Sequence, residues 1–410
     1  MASVGNSRLR LFRLLAIALG FVLALGISEL LATAYLWARD GHYIPARQRF
    51  AGNPNTFITQ ITTEDASCRY VDTLFPHPYL GFVHHGNPPC GITNINNIGL
   101  FGANFASEHR DDRFVILSTG GSVAAQMAGM KDDDPHYLEE ILNRDYVSPN
   151  GKPFLVLNGA DGAWKQPQQV IIFLLYADAV DAMVTLDGFN EHYMLDSSER
   201  MEYPSNNFVQ ANPLAERDFG GVIGLWIKGK IAVRLQQSAV FSRSNLAYLV
   251  ARYLRDSSPI AANRRTTVES VFALPAEWTP EKRFQWTMKQ YEKYILAMQS
   301  VAAEHKVLTS YFIQPAPAVG KALTEREKSV VGDLSYGPNY RRMADELLSL
   351  QKRQVPMHSL LEIFANTADT LYGDPVHLEQ AGPAGSPGYR KMAEEMAARI
   401  AEDWKLKPKN

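Results

Sequence analysis

Four short segments of this chain carry side chains whose chemistries complement one another. Ser122 follows two glycines in Ser118-Thr119-Gly120-Gly121-Ser122, and Gly162 closes Asn158-Gly159-Ala160-Asp161-Gly162. Asn190 lies in Asp187-Gly188-Phe189-Asn190-Glu191, and Asp374-Pro375-Val376-His377 sets a carboxylate three residues before an imidazole. Glycines before a serine allow a tight turn that presents the hydroxyl at its tip, as a nucleophile requires. An imidazole held by a carboxylate is a general base, while a glycine N–H and an asparagine amide can grip a developing oxyanion. Together these are the parts of an acyl-transfer site. Singly each is ordinary: such glycine-serine turns often cradle phosphate or merely turn, asparagines favour turns, and a lone histidine usually sits on a surface or is satisfied in a core.

Something must bring these segments to one place. Each follows a short apolar run of the kind buried on both faces of a parallel sheet: FVILS (114–118), FLVLN (154–158), AMVTL (182–186) and the weaker SLLEIF (359–364); LTSYFIQ (308–314) is a further strand of this kind. Helical segments are expected at 136–145, 167–179, 281–304, 338–353 and 387–403. Strands alternating with helices imply right-handed crossovers and an α/β chain folded as a three-layer α/β/α sandwich around a five-stranded parallel sheet. In such sheets ligands bind beyond the carboxyl ends of the strands, where all four chemical segments would emerge. The stretch 195–280 breaks the alternation and is expected to be an insertion covering one end of the sheet. The aromatics Phe284, Trp286, Tyr291 and Tyr294 are expected to pack on the sheet.

The ordered set resembles the serine, glycine, G-x-N and D-x-x-H blocks of the SGNH hydrolases, also called GDSL-type esterases and lipases. The likeness spans roughly 75–195 and 305–400, and HPYLGF…NNIGLFG and the Gln314-Pro315 at the end of LTSYFIQ are similar to a membrane-anchored bacterial branch of that superfamily. The resemblance implies a flavodoxin-like SGNH fold in which Ser122 is the nucleophile, His377 the base and Asp374 its orienting acid. It also implies an oxyanion hole built from the Ser122 N–H, the Gly162 N–H and the Asn190 side chain. Two features depart from the family pattern: Gly120-Gly121-Ser122 lacks the aspartate of the GDS block, and the glycine block is one residue short, which makes Gly162 rather than Gly159 the expected donor. Neither removes a reacting group.

The amino terminus fixes the expected compartment. Arg8, Arg10 and Arg13 precede a largely apolar stretch from Leu14 to Ala38 interrupted by Glu29. These 25 residues reach about 37 Å as a helix, enough for a hydrocarbon core of about 30 Å. Basic residues before the span favour a cytoplasmic amino terminus. The expected organisation is a tail and transmembrane anchor at 1–40, a stem at 41–74, and a hydrolase-like domain at 75–410 with the insertion at about 195–280. A cleaved signal peptide ending near Ala32-Thr33-Ala34 is the alternative. Both readings export the remainder, to a periplasmic or extracellular position beyond a single-pass inner (cytoplasmic) membrane helix. In an oxidising compartment Cys68 and Cys90 read either as a disulfide or as two buried thiols.

Composition narrows the partners. The 410 residues carry 41 basic and 43 acidic side chains, a formal charge of -2, so no bulk positive field draws nucleic acid. Two cysteines rule out a Cys-only metal cluster. His84, His85 and His192 lack cysteine or acidic partners at metal spacing, and Asp132-Asp133-Asp134 reads as a solvated loop, so neither metal nor cofactor is expected. His192 is expected at most to line the pocket. The nucleotide-binding alternative is disfavoured because neither G-x-G-x-x-G nor G-x-x-x-x-G-K-[ST] occurs at the glycine turn. The expected function is an exported serine esterase or acyltransferase acting on acyl groups, O-acetyl foremost, of a cell-envelope glycan. A lipid acyl esterase and a non-catalytic glycan-binding or assembly protein keeping the fold are the alternatives.

Overall fold

The computed structural model describes residues 3–51, 73–86, 94–106, 111–130, 134–195, 197–202, 227–228, 231, 234–256, 272–379 and 385–409. Cys68, Cys90, Asp132 and Asp133 lie outside them. The chain divides into two units. One comprises Met1–Asn55 and Glu216–Arg264; the other comprises Thr56–Ala215 and Arg265–Asn410.

The larger unit is an α/β structure built on a five-stranded sheet: β1 (Phe114–Gly120), β2 (Phe154–Ala160), β3 (Ala182–Asp187), β4 (Leu308–Ile313) and β5 (Met357–Ser359). The strands lie in the order β2-β1-β3-β4-β5, and every neighbouring pair is parallel. The apolar runs form strands because both faces are covered. Phe114 and Ile116 of β1 enter one core cluster, whereas the alternating Val115 and Leu117 enter another.

The first cluster is completed by helices α2 (Ser122–Met127), α3 (Tyr137–Asp145) and α9 (Pro387–Trp404); the second by α4 (Gln168–Tyr176), α7 (Pro280–His305) and α8 (Gly337–Leu348). Helix α5 is the single turn Phe189–His192, and α6 is Asn245–Asp256. Local signals set the helix limits. Thr279 and Ser386 each accept a hydrogen bond from a first-turn N–H, a proline follows each, and left-handed Lys306 and Lys405 end α7 and α9. On α7 the buried Phe284, Met288, Tyr291, Ile295 and Met298 recur at intervals of three and four residues, forming one stripe against the sheet.

Two expectations need correction. The fifth strand is Met357–Ser359; Leu360 N still donates to Ile313 O at 2.9 Å, and residues 361–364 form turns whose apolar side chains fill the core. Of the α7 aromatics, Phe284 and Tyr291 are buried on the sheet and Tyr294 packs against the same cluster while donating to Glu202, but half-buried Trp286 lies edge-on to Trp278. The middle of the expected insertion, Glu216–Arg264, belongs to the unit that contains the amino-terminal helix, and within that unit α6 packs on α1 (Ser3–Asp40). Within α1, Phe12–Asp40 is long and apolar enough to cross a membrane.

Candidate active site

In the order β2-β1-β3-β4-β5 the chain leaves β1 in one direction to form β2 and later continues on β1's other side with β3. A crevice opens at such a reversal, beyond the carboxyl ends of the central strands. Gly120 is level with Ala160 and Leu186 across the sheet, so the loops after β1, β2 and β3 begin side by side. Ser122, Gly162 and Asn190 therefore arrive together, although they are remote in sequence.

The serine turn depends on both glycines. Gly120 has φ +154, and a Cβ there would overlap the Leu186 carbonyl of the neighbouring strand. At Gly121 a Cβ would overlap the side-chain nitrogen of Asn190. Ser122 then opens α2, whose first-turn N–H groups have no partner within the helix. The far end of α2 is fixed by Asn158, whose side-chain nitrogen donates to Ala125 O at 3.0 Å and Gly129 O at 3.2 Å. The Tyr389 hydroxyl donates to Gln126 at 2.8 Å, tying the serine helix to the helix that follows the histidine.

His377 Nε2 lies 2.7 Å from Ser122 Oγ, and its Nδ1 lies 2.8 Å from Asp374 Oδ2. With the proton on Nδ1 donated to the carboxylate, Nε2 is the acceptor for the serine hydroxyl. The other Asp374 oxygen accepts the backbone N–H groups of Val376 at 2.8 Å and His377 at 2.7 Å. Burial alone would raise the Asp374 carboxyl, but the His377 ring and these N–H groups outweigh it and hold it at about 2. All three side chains are nearly buried, with Ser122 the most accessible at 8% exposure.

The loop bearing this pair is closed on itself. Gly373 N donates to His377 O at 2.9 Å, and Glu379 N donates to Leu371 O at 2.7 Å. Its entry is held by Glu327, which accepts Leu371 N at 2.8 Å and Tyr372 N at 3.1 Å through one oxygen and the Lys321 ammonium at 2.8 Å through the other. Burial would raise the Glu327 carboxyl; Lys321 and the backbone donors bring it instead to about 2.

Asn190 and Gly162 are more constrained than the sequence implies. Asn190 donates one amide hydrogen to Trp164 O at 2.7 Å, leaving the second available beside Gly121. The Gly162 N–H donates to Asp161 Oδ1 at 2.6 Å. Asp161 is in turn gripped by His84, whose Nε2 lies 3.0 Å from Oδ1 and 2.9 Å from Oδ2, while the other ring nitrogen meets Thr73 Oγ1 at 2.7 Å. Both side chains of this second acid–histidine pair are fully buried.

Sequence reasoning treated His84 only as a non-ligand and gave Asp161 no role; seventy-seven residues separate them, and no spacing rule joins them. It also passed over Glu191. That carboxylate accepts Gly188 N at 2.9 Å, Gln166 N at 3.0 Å and Gln169 Nε2 at 3.3 Å, binding the asparagine turn to the segment after Gly162. Burial raises both Asp187 and Glu191, and their proximity raises Glu191 further. Lys165, lowered to about 8 by burial, donates to Met201 O at 2.6 Å. His192 packs against Tyr193 and Tyr336, with ring centroids 4.1 and 4.5 Å away. Among the described residues no group of three or more histidine, cysteine or acidic side chains is placed to hold a metal ion.

No family model matches the chain, and no curated protein matches it. One similar solved structure is described as a GDSL-like lipase from Bacteroides thetaiotaomicron VPI-5482. The similarity covers 71% of this chain and 88% of that one, at 9% identity and a TM-score of 0.31, a level of agreement that supports no inference about chemistry.

Proposed function

We propose that this chain is an exported serine esterase or acyltransferase whose Ser122, His377 and Asp374 act as a catalytic triad on acyl groups, O-acetyl foremost, of a cell-envelope glycan. The observation that carries the reading is the continuous line from Ser122 Oγ through the His377 ring to Asp374, located at the crevice beyond β1 and β3.

In the proposed reaction His377 Nε2 takes the hydroxyl proton as Ser122 Oγ bonds to the ester carbonyl carbon. Asp374 holds the ring and stabilises the imidazolium that forms. The Ser122 N–H and the second hydrogen of the Asn190 amide meet the carbonyl oxygen, and Gly162 contributes by sharing its N–H between Asp161 and that oxygen. The imidazolium returns its proton to the leaving alkoxide, giving an acyl-serine and a free hydroxyl. Water or a sugar hydroxyl, deprotonated by the same ring, then releases the acyl group, so hydrolysis and transfer share one first half.

The remaining assignments belong to the same proposal: a single-pass anchor in the inner membrane, the domain from residue 75 outside the cytoplasm, and an acylated carbohydrate or small ester as substrate. The test uses the purified full chain with aryl acetates, longer aryl esters and acetylated glycans as donors and acceptors. Faster turnover of acetyl donors, abolished by Ser122→Ala, is the expected result; a Ser122→Ala protein as active as the wild type refutes it.

A further inference from the structure

The amino-terminal unit contains an arrangement that the esterase reading does not use. Along α1, residues 12–27 are exposed on nearly every side, whereas from 28 onward the covered positions follow one stripe: Ser28 and Glu29, Ala32 and Thr33, Leu36, and Asp40. Helix α6 lies against that stripe, with Leu36, Phe50, Tyr248 and Ala251 forming the contact.

The acidic residue within the apolar stretch explains how the two helices are joined. Glu29 accepts hydrogen bonds from Ser244 Oγ at 2.6 Å, Asn245 N at 2.7 Å and Leu246 N at 3.0 Å, while Thr33 Oγ1 accepts the Asn245 side chain at 3.0 Å. A carboxylate from one helix thus caps the positive end of the other, satisfying a charge that lipid would otherwise leave unsolvated.

This cap sets the depth of α6 once α1 is read as spanning the membrane, a reading on which the inference rests. A hydrocarbon core of about 30 Å takes about 20 helical residues. Counted from Phe12 or from Leu14, that length ends near Leu31 or Thr33, so Glu29 lies within about one turn of the outer boundary and α6 begins at the same level.

The outward side of this segment is suited to that level. Leu246, Val250 and Tyr253 recur at intervals of four and three on the side of α6 away from α1, with Val250 and Tyr253 exposed. Just before the helix, Val240 is 74% and Phe241 52% exposed. Arg243 and Arg252 are also exposed on this segment, in reach of lipid headgroups.

We propose that the segment 240–253 is a second membrane-seated element: Val240, Phe241, Val250 and Tyr253 insert into the acyl-chain boundary of the outer leaflet, docked there on α1 through the Glu29 cap. The occupant of this face is lipid from the bilayer that α1 crosses.

The full chain, reconstituted in nanodiscs of phosphatidylethanolamine and phosphatidylglycerol, tests this with p-benzoylphenylalanine placed singly at Leu19, Phe241 or Tyr253. After irradiation, peptide mass spectrometry is expected to find lipid adducts at all three sites. Lipid adducts at 19 but none at 241 and 253 would overturn the proposal while leaving the span intact. Cross-links from 241 or 253 to a second copy of the chain would overturn it in favour of a protein interface. No lipid adduct at 19 would remove the span and this inference with it, leaving the Ser122 chemistry to stand or fall on its own assay.

Discussion

The side-chain nitrogen of Asn190 occupies the space that a Cβ on Gly121 would need. The residue before Ser122 is therefore a glycine because the amide proposed to grip the oxyanion is packed onto it. Gly121→Ala should push Asn190 aside and remove one donor, lowering kcat on an aryl acetate by about a hundredfold with little change in thermal midpoint. Unchanged turnover would separate Asn190 from the reaction.

The neighbouring glycine answers to a different constraint. At Gly120, with φ +154, a Cβ would overlap backbone rather than a mobile side chain, namely the Leu186 carbonyl of β3. Gly120→Ala should therefore separate the central strands, and the expected signature is a loss of about 3 kcal/mol or more in denaturant unfolding. Two adjacent glycines thus predict two distinct phenotypes, one in turnover and one in stability.

The buried Asp161 and His84 give a third test. Removing His84 takes away the ring that meets both oxygens of the buried Asp161, so His84→Ala should destabilise the protein by about 3 kcal/mol. It should also loosen Asp161, which holds the Gly162 N–H, so activity is expected to fall even at temperatures where the variant remains folded. Full activity in a folded His84→Ala protein would remove the pair from the oxyanion side.

Acid and base should act on different parts of the site. Asp374 and Glu327 sit at about 2 in the folded chain, below the usual carboxylate value near 4. Their contribution is complete above about pH 5 and is lost as pH falls toward 2. Glu327→Gln should therefore cost more stability at pH 7 than at pH 3, measured by urea unfolding. Asp187 and Glu191 are shifted upward, so their contribution is present at low pH and lost as pH rises through their folded values. Asp187→Asn, which cannot ionise, should accordingly gain on the wild type between pH 5 and pH 8.

The parts of this arrangement that sequence made legible are those governed by local rules. Short apolar runs such as FVILS and FLVLN read directly as strands because each is buried on both faces, and the helices expected at 281–304 and 387–403 coincide with α7 and α9 to within a residue. The SLLEIF run misled because burial alone does not distinguish a strand from a turn whose side chains fill a core; of that run Ser359 alone lies within the strand. The family resemblance named Ser122, Gly162, Asn190, Asp374 and His377, and the fold brings Ser122, Asp374 and His377 into hydrogen-bonding distance. It offered no sign of the His84–Asp161 pair, the Glu327 clasp or the Glu29 cap. Each of these joins segments far apart in the chain through one carboxylate, and long-range pairing leaves no periodic signature.

The most direct measurement is active-site labelling of the full chain with a fluorophosphonate, followed by mass mapping of the modified peptide. The account predicts a single phosphonylated residue, Ser122, with labelling strongly slowed in His377→Ala and absent in Ser122→Ala. A folded wild-type protein that stays unlabelled, or that is labelled at another residue with equal speed in both variants, would contradict it.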